Sequence, residues 1–203
     1  MRLTLHPENP QARSITQIVE KLRGGALIGY PTDSTYAYGW LPGQKAPQER
    51  VARLRNLDSR HLYALACSDV KQAAQFGRLD NRAFALLKAY TPGPFTFILP
   101  ATAALPKRLI HEKRRTIGIR IPNHKIVQAL LAALGEPLMT SSLTLPEQLD
   151  SLYSVDELAD AIEPQVDIFV DGGPCGFEPT TLLDLSGDAP VLVRQGKGVL
   201  DKA

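Results

Sequence analysis

The stretch "TIGIRIPNHKIVQALLAALGEPLMTSS", residues 116–142, decides the fold. Residues 116–122 alternate apolar Ile117, Ile119 and Ile121 with other residues, the period-2 pattern of a strand. "HKIVQALLAAL", 124–134, has the spacing of an amphipathic helix, which Gly135 ends, and "PLMTSS", 137–142, reads as the next strand. Strand, helix, strand in 27 residues is βα alternation. Working outward, the same alternation recurs. Ala12, Ile15, Ile18, Val19 and Leu22 fall on one helical face, introduced by Asn9-Pro10 and stopped by Gly24-Gly25. "ALIGY" (26–30) is a buried strand bounded by Pro31. A helix is predicted over about 47–57, a strand at "LYALAC" (62–67), a short helix capped by Ser68 or Asp69 and ending at Gly77, a helix at 80–90 and a strand at "FTFIL" (95–99). Ser154-x-x-Glu157 is a capping box opening a helix to about Ile162. Three short strands follow, "VDIFVD", "TTLLDLS" and "PVLVRQ".

The expected class is therefore α/β: a mixed parallel/antiparallel sheet with packed helices. Alternation favours parallel strands and the closing strand run antiparallel ones. At 203 residues a single domain, 1–203, is expected. No apolar run approaches the roughly 20 residues of a membrane span, and the N-terminal "MRLTLHPENPQARS" lacks an apolar signal core, so a cytoplasmic location is expected. Cys67 and Cys175 lie far apart and the four histidines are scattered, so no built-in metal cage is expected.

A net charge of +2 conceals an asymmetry. Residues 1–125 carry 20 Lys and Arg against 8 acids, whereas residues 126–193 carry 12 acids and neither Lys nor Arg. Basic density peaks at residues 107–125 and again at Arg50, Arg53, Arg55 and Arg60. Gathered on one face, these clusters would attract phosphates. Spread out, they are solvated surface that balances the acidic part.

Three strand ends are rich in hydroxyls: Thr32-Asp33-Ser34-Thr35-Tyr36, Thr140-Ser141-Ser142 with Thr144, and Thr180-Thr181. Ligands of α/β sheets bind beyond strand ends, and hydroxyls suit a polar ligand with a carboxylate or phosphates. The same residue types also cap and turn the chain. The P-loop, dinucleotide-binding and nucleophile-elbow glycine motifs are absent from the sequence.

"GGALIGYPTDSTYAYG", "RLRNL", "TPGPFTFIL", "TIGIRIPNH", "EPLMTSSLTLP" and "PTTLLDL" followed by "VLVRQGKG" together resemble the YrdC/TsaC-type threonylcarbamoyl-AMP synthase family, over nearly the whole chain. The resemblance implies an α/β twisted, open, mixed sheet with a positively charged concave face, RNA and nucleotide binding, and synthesis of threonylcarbamoyl-AMP from L-threonine, bicarbonate and ATP for tRNA threonylcarbamoyladenosine. By resemblance, Thr32, Tyr36, Arg120, Thr140 and Thr180 hold threonine, with Arg120 on its carboxylate. Arg55, His61, Thr116, Ser142 and Arg194 face the nucleotide, and Arg55, Arg120 and Ser142 carry catalysis. Mg2+ arrives with ATP, and no residue is assigned to a resident metal.

Four positions depart from the family pattern. Leu57 stands where the second cation of a Lys-x-Arg pair is expected, Thr144 replaces an asparagine, His61 a lysine, and Ala37 a glycine. These departures resemble the YciO-like branch. Two functions follow: an ATP-dependent threonylcarbamoyl-AMP synthase, full or weakened by the lost donors, or a noncatalytic protein that binds tRNA or double-stranded RNA by backbone and shape.

Overall fold

The computed structural model describes residues 1–58, 61, 63–110, 113, 115–143 and 154–201. Arg60, Arg114 and Thr144 lie outside the described residues. In chain order the elements are β1 (Arg2–Thr4), α1 (Ala12–Arg23), β2 (Ile28–Tyr30), β3 (Ala37–Trp40), α2 (Lys45–Leu54), β4 (Ala64–Ala66), α3 (Val70–Phe76) and α4 (Asn81–Tyr90). There follow β5 (Phe95–Pro100), β6 (Thr116–Arg120), α5 (Lys125–Leu134), β7 (Leu138–Ser142), α6 (Val155–Ile162), β8 (Ile168–Asp171), β9 (Thr181–Asp184) and β10 (Val191–Arg194).

The strands form one open sheet in the order β1-β8-β2-β3-β7-β4-β6-β5-β9-β10. Pairs β1–β8, β2–β8, β4–β6 and β5–β9 are parallel, and the others are antiparallel. The sheet is thus mixed, as the sequence predicts. Asp69, Asp80 and Ser154 cap α3, α4 and α6 through their side chains, the last in a full capping box, and Gly135 closes α5 at φ 72°. The start of α1 differs from expectation. Gln11 precedes the helix without a side-chain cap, and Asn9 instead donates its N–H to His6 Nδ1.

Helices cover the two faces of the sheet unequally. On the first face, α2, α3, α4 and α6 pack on a core running from Phe169 in β8 through Trp40, Met139, Leu65, Ile119 and Phe97 to Leu183 in β9. On the second face, among the described residues, α1 and α5 pack, using Ile15, Ile18, Val19 and Leu22 of α1 and Ile126, Val127, Leu130, Leu131 and Leu134 of α5. Their strand partners are Ile28, Tyr30, Ala37, Ala66, Leu138, Ile168 and Val170. Burial of each large side chain there stabilises the fold by about 1.5–3 kcal/mol. No residue of β5, β6, β9 or β10 belongs to this second core. The helix layer stops at β7 and β4, and the site begins where it stops.

The charge clusters are divided. Arg2 pairs with Asp156 and Asp171, each at 2.6 Å, and Arg50 pairs with Asp167 at 3.2 Å, tying the basic part of the chain to the acidic part. Arg55 and Arg120 lie elsewhere, in a cleft.

Candidate functional site

Beyond the edge of α1 and α5 the second face opens as a cleft of about 250 Å³. Strand register builds its floor. Ala64 of β4 stands opposite Thr140 on one side and Gly118 on the other, while Thr96, Leu182 and Arg194 form a second row across β5, β9 and β10. Small residues give it depth. A Cβ at Gly118 would lie 2.9 Å from Ala64 Cβ, closer than two carbons pack. Side chains alternate across a strand, so Gly118 and Arg120 share the face opposite the buried Ile117 and Ile119.

The hydroxyls of Thr140, Thr96, Thr180 and Ser141 are anchored. Tyr30, fully buried, donates its hydroxyl to Thr140 Oγ1 at 2.8 Å, a path open because Gly39 leaves room for its ring, where a Cβ would meet the ring at 2.7 Å. Thr96 and Thr180 share a hydrogen bond of 2.7 Å between their hydroxyls. Arg55, at the C-terminal end of α2, donates from Nη1 to Ser141 Oγ at 2.5 Å, and Arg194 donates from Nη2 to the Thr180 carbonyl at 2.9 Å.

Arg120 is the most deeply set cation, 4 % exposed. Its Nη2 donates to Asp33 Oδ1 and Ser34 Oγ, both at 3.0 Å, and more weakly to Thr32 Oγ1 at 3.4 Å. The hydroxyl-rich turn after β2 is therefore a cradle. Thr32 Oγ1 closes it by donating to the Thr35 carbonyl and accepting from Ser34 N, and Asp33 Oδ2 accepts from Asn123 N at 2.8 Å. Arg120 Nε is buried without a hydrogen-bond partner.

The electrostatics point the same way. Burial, and then the charge of Arg120, lowers the Arg194 pKa, and burial lowers that of Arg55. An anion entering beside Arg194 would offset both its burial and the charge of Arg120. His61, edge-on to Tyr63 at 5.0 Å, is pushed down to about 4 by burial and by Arg55, against Asp58. At neutral pH it is an uncharged imidazole.

Of the residues named from sequence, Arg55, His61, Arg120, Thr140, Ser142, Thr180 and Arg194 line the cleft together. Thr32 stands behind Arg120. Thr116, 1 % exposed with an unpartnered hydroxyl, and Tyr36 are not part of the lining. Tyr36 stacks on Phe169 at 5.2 Å in the first-face core and donates its hydroxyl to the Gly173 carbonyl at 2.8 Å. Sequence reasoning passed over Thr96, Gly118 and Leu182, which line the cleft, and gave no individual role to Ser141, which also lines it, or to Asp33 and Ser34, which hold Arg120. Thr96 had a signal: it is the lone hydroxyl between Phe95 and Phe97.

A model of the Sua5/YciO/YrdC family, described as "Telomere recombination", matches residues 20–196. The chain belongs to the Sua5/YciO/YrdC family. It is 47 % identical over 194 residues to YciO of Escherichia coli K12, a protein described as uncharacterized, covering 96 % of this chain and 94 % of that one. The crystal structure of E. coli YciO superposes with a TM-score of 0.93 at 46 % identity, covering 98 % of this chain and 97 % of the other. Further off, the threonylcarbamoyl-AMP synthase of Vibrio vulnificus YJ016 is 26 % identical over 162 residues, 78 % of this chain and 86 % of that one. The crystal structure of Sua5 from P. abyssi complexed with L-threonine shares the fold, with a TM-score of 0.86 at 22 % identity over 97 % of this chain and 57 % of that one.

Proposed function

We propose that the cleft binds L-threonine and Mg-ATP and, with bicarbonate, makes threonylcarbamoyl-AMP and pyrophosphate for tRNA threonylcarbamoyladenosine. The observation that carries this reading is Arg120: a buried guanidinium lining a hydroxyl-floored cleft, held by Asp33 and Ser34, with Nε unpartnered. A guanidinium so placed suits a carboxylate. Thr140 and Thr180 take the amine and hydroxyl of threonine, with Thr32 and Tyr36 supporting the turn behind them. Arg55 and Arg194 meet the phosphates beside Ser142 and the neutral His61. Pockets that enclose a drug-sized ligand hold about 300–1,000 Å³, so this cleft encloses an amino acid and only part of a nucleotide.

The chemistry needs positioning and cations rather than a covalent nucleophile. The threonine amine adds to bicarbonate with loss of water, giving a carbamate. A carbamate oxygen then attacks the α-phosphorus and pyrophosphate leaves with its magnesium. Arg55 and Arg194 stabilise the charge that develops on the phosphates. Leu57 packs partly buried against the first-face core and offers no charge, which takes one donor from the phosphate grip.

Pyrophosphate release should require threonine, bicarbonate and ATP together. Calorimetry should show L-threonine bound more tightly than L-valine by roughly 10- to 100-fold, since valine leaves a cleft hydroxyl unpaired. Equal affinities, or release that ignores threonine, refute the synthase.

A second reading rests on the surface. Lys107, Lys113, Arg115 and Lys125 are exposed, and none of them makes an ion pair with another described residue. They suit the phosphate backbone of tRNA or double-stranded RNA. Affinity for a duplex RNA should then fall linearly with salt in logarithmic terms, with a slope of magnitude near 1 lost for about each lysine removed. Undetectable binding at low salt withdraws this reading.

A further inference from the structure

We infer that Asp33 is a positioning residue that aims Arg120 at the carboxylate of the amino-acid substrate, and that Lys197 holds Asp33 in place from the other side. The inference rests on the reading of the cleft as an L-threonine site. Asp33 is the middle residue of the turn that leaves β2, and its side chain is 8 % exposed against 4 % for Arg120. Every polar group of Asp33 with a described contact is engaged in fixing it. Oδ1 takes Arg120 Nη2 at 3.0 Å, Oδ2 takes the N–H of Asn123 at 2.8 Å, and the backbone carbonyl takes Lys197 Nζ at 2.6 Å.

The contacts converge on one end of the guanidinium. Asp33, Ser34 and Thr32 all accept from Nη2, while Nε is left buried and unpaired. A planar guanidinium fixed through one nitrogen presents its remaining N–H groups in a set orientation, which is the requirement for gripping a carboxylate. Lys197 reaches Asp33 because the segment that ends β10 is clamped down. Gly196 passes so close to Thr180 that a Cβ there would collide with the Pro179 carbonyl, Gly196 N donates to Thr181 Oγ1 at 3.0 Å, and Lys197 N donates to the Pro179 carbonyl at 2.9 Å. The same segment carries Arg194 into the cleft. Both ends of the site are thus braced by one strap.

A carboxylate beside a substrate-binding arginine has two opposed consequences. As a mere counter-charge it weakens attraction for an anion, so its removal tightens binding. As a positioning group it orients the arginine, so its removal loosens binding although the site becomes more positive. The two roles differ in sign.

The test is calorimetric titration of the full chain with L-threonine and, separately, with Mg-ATP. Asp33→Asn should weaken L-threonine by roughly 10- to 100-fold, the scale of a lost hydrogen bond to a charged group, and leave Mg-ATP within about twofold, with Asp33→Glu recovering part of the loss. Lys197→Met changes only an exposed side chain and serves if Asp33→Asn does not fold. It should weaken L-threonine by roughly 3-fold or more, the scale of one hydrogen bond, and Lys197→Arg should restore it. Unchanged or tighter L-threonine binding in either folded variant overturns the inference, as does equal loss of L-threonine and Mg-ATP. Failure of the unaltered protein to bind L-threonine instead overturns the threonine reading itself.

Discussion

Leu138 and Thr140 stand two residues apart on β7 and face the same side of the sheet, yet they belong to different worlds. Leu138 is fully buried under α1 and α5, whereas Thr140 lines the cleft. β4 repeats the contrast, with Ala66 in the helix-covered core and Ala64 on the cleft floor. The boundary between core and site therefore runs across strands, at the point where the second helix layer ends. Its lesson is that this site is made by omission. Where no described helix covers the sheet, its polar groups pair with one another or with the core edge: Thr96 with Thr180, and Thr140 with Tyr30.

The contrast can be broken most forcefully at its covered side. Leu138→Ala removes a fully buried side chain and should cost about 2–5 kcal/mol in urea unfolding, with L-threonine affinity of the folded protein unchanged. Thr140→Val, two residues on, should cost less, about 1–3 kcal/mol, because it strands the buried Tyr30 hydroxyl, while cutting L-threonine affinity at least tenfold. If Leu138→Ala injures binding as much as Thr140→Val does, the division drawn along β7 is wrong.

Gly118→Ala sharpens the contrast from the floor. The added methyl meets Ala64 Cβ at 2.9 Å, with the Ala64 Cα and the Tyr63 carbonyl at 3.2 Å, and none of these can swing aside, so a stability loss of roughly 1–3 kcal/mol from overpacking is expected. Ligand binding should suffer more than stability, since the methyl also occupies the cleft. A crystal structure of the variant that keeps an open floor and full affinity would show that depth at Gly118 is dispensable.

Much of this arrangement was legible in residues. Periodicity found β6, α5 and β7 because one face of each is buried throughout, and the capping box at Ser154 marked α6 by chemistry that acts within one turn. β1 and β3 left no such mark. Arg2–Thr4 is three residues held by pairing with β8, and Ala37–Trp40 takes its strand form from β2 and β7 on either side. Those pairings span the chain and cannot be read locally. In the site, the hydroxyl-rich ends were visible, but which hydroxyls face the cleft depended on register and on where the helix layer ends. Tyr36 shows the limit: it sits in the same turn as Thr32, yet packs its ring into the opposite core.

The smallest expected effect lies at the cleft's rim and depends on pH. His61 has its pKa pushed from an ordinary 6.5 down to about 4, chiefly by burial. In the unfolded chain it takes up a proton below about 6.5, while in the folded protein it resists until about 4. The unfolded state therefore binds more protons in this window, and stability falls as pH drops from 6.5 towards 4. His124, also lowered by burial, contributes with the same sign. His61→Asn should thus reduce, without abolishing, the decline in urea midpoint between pH 6.5 and 4, and leave the midpoint above pH 7 nearly flat. An unaltered decline would mean that His61 meets water freely. The same neutrality governs binding. With His61 uncharged, the positive charge facing a nucleotide in the proposed site would come from Arg55 and Arg194, so Mg-ATP affinity should not step between pH 6 and 8, and a step there that vanishes in His61→Asn would assign the imidazole a charge that its burial denies.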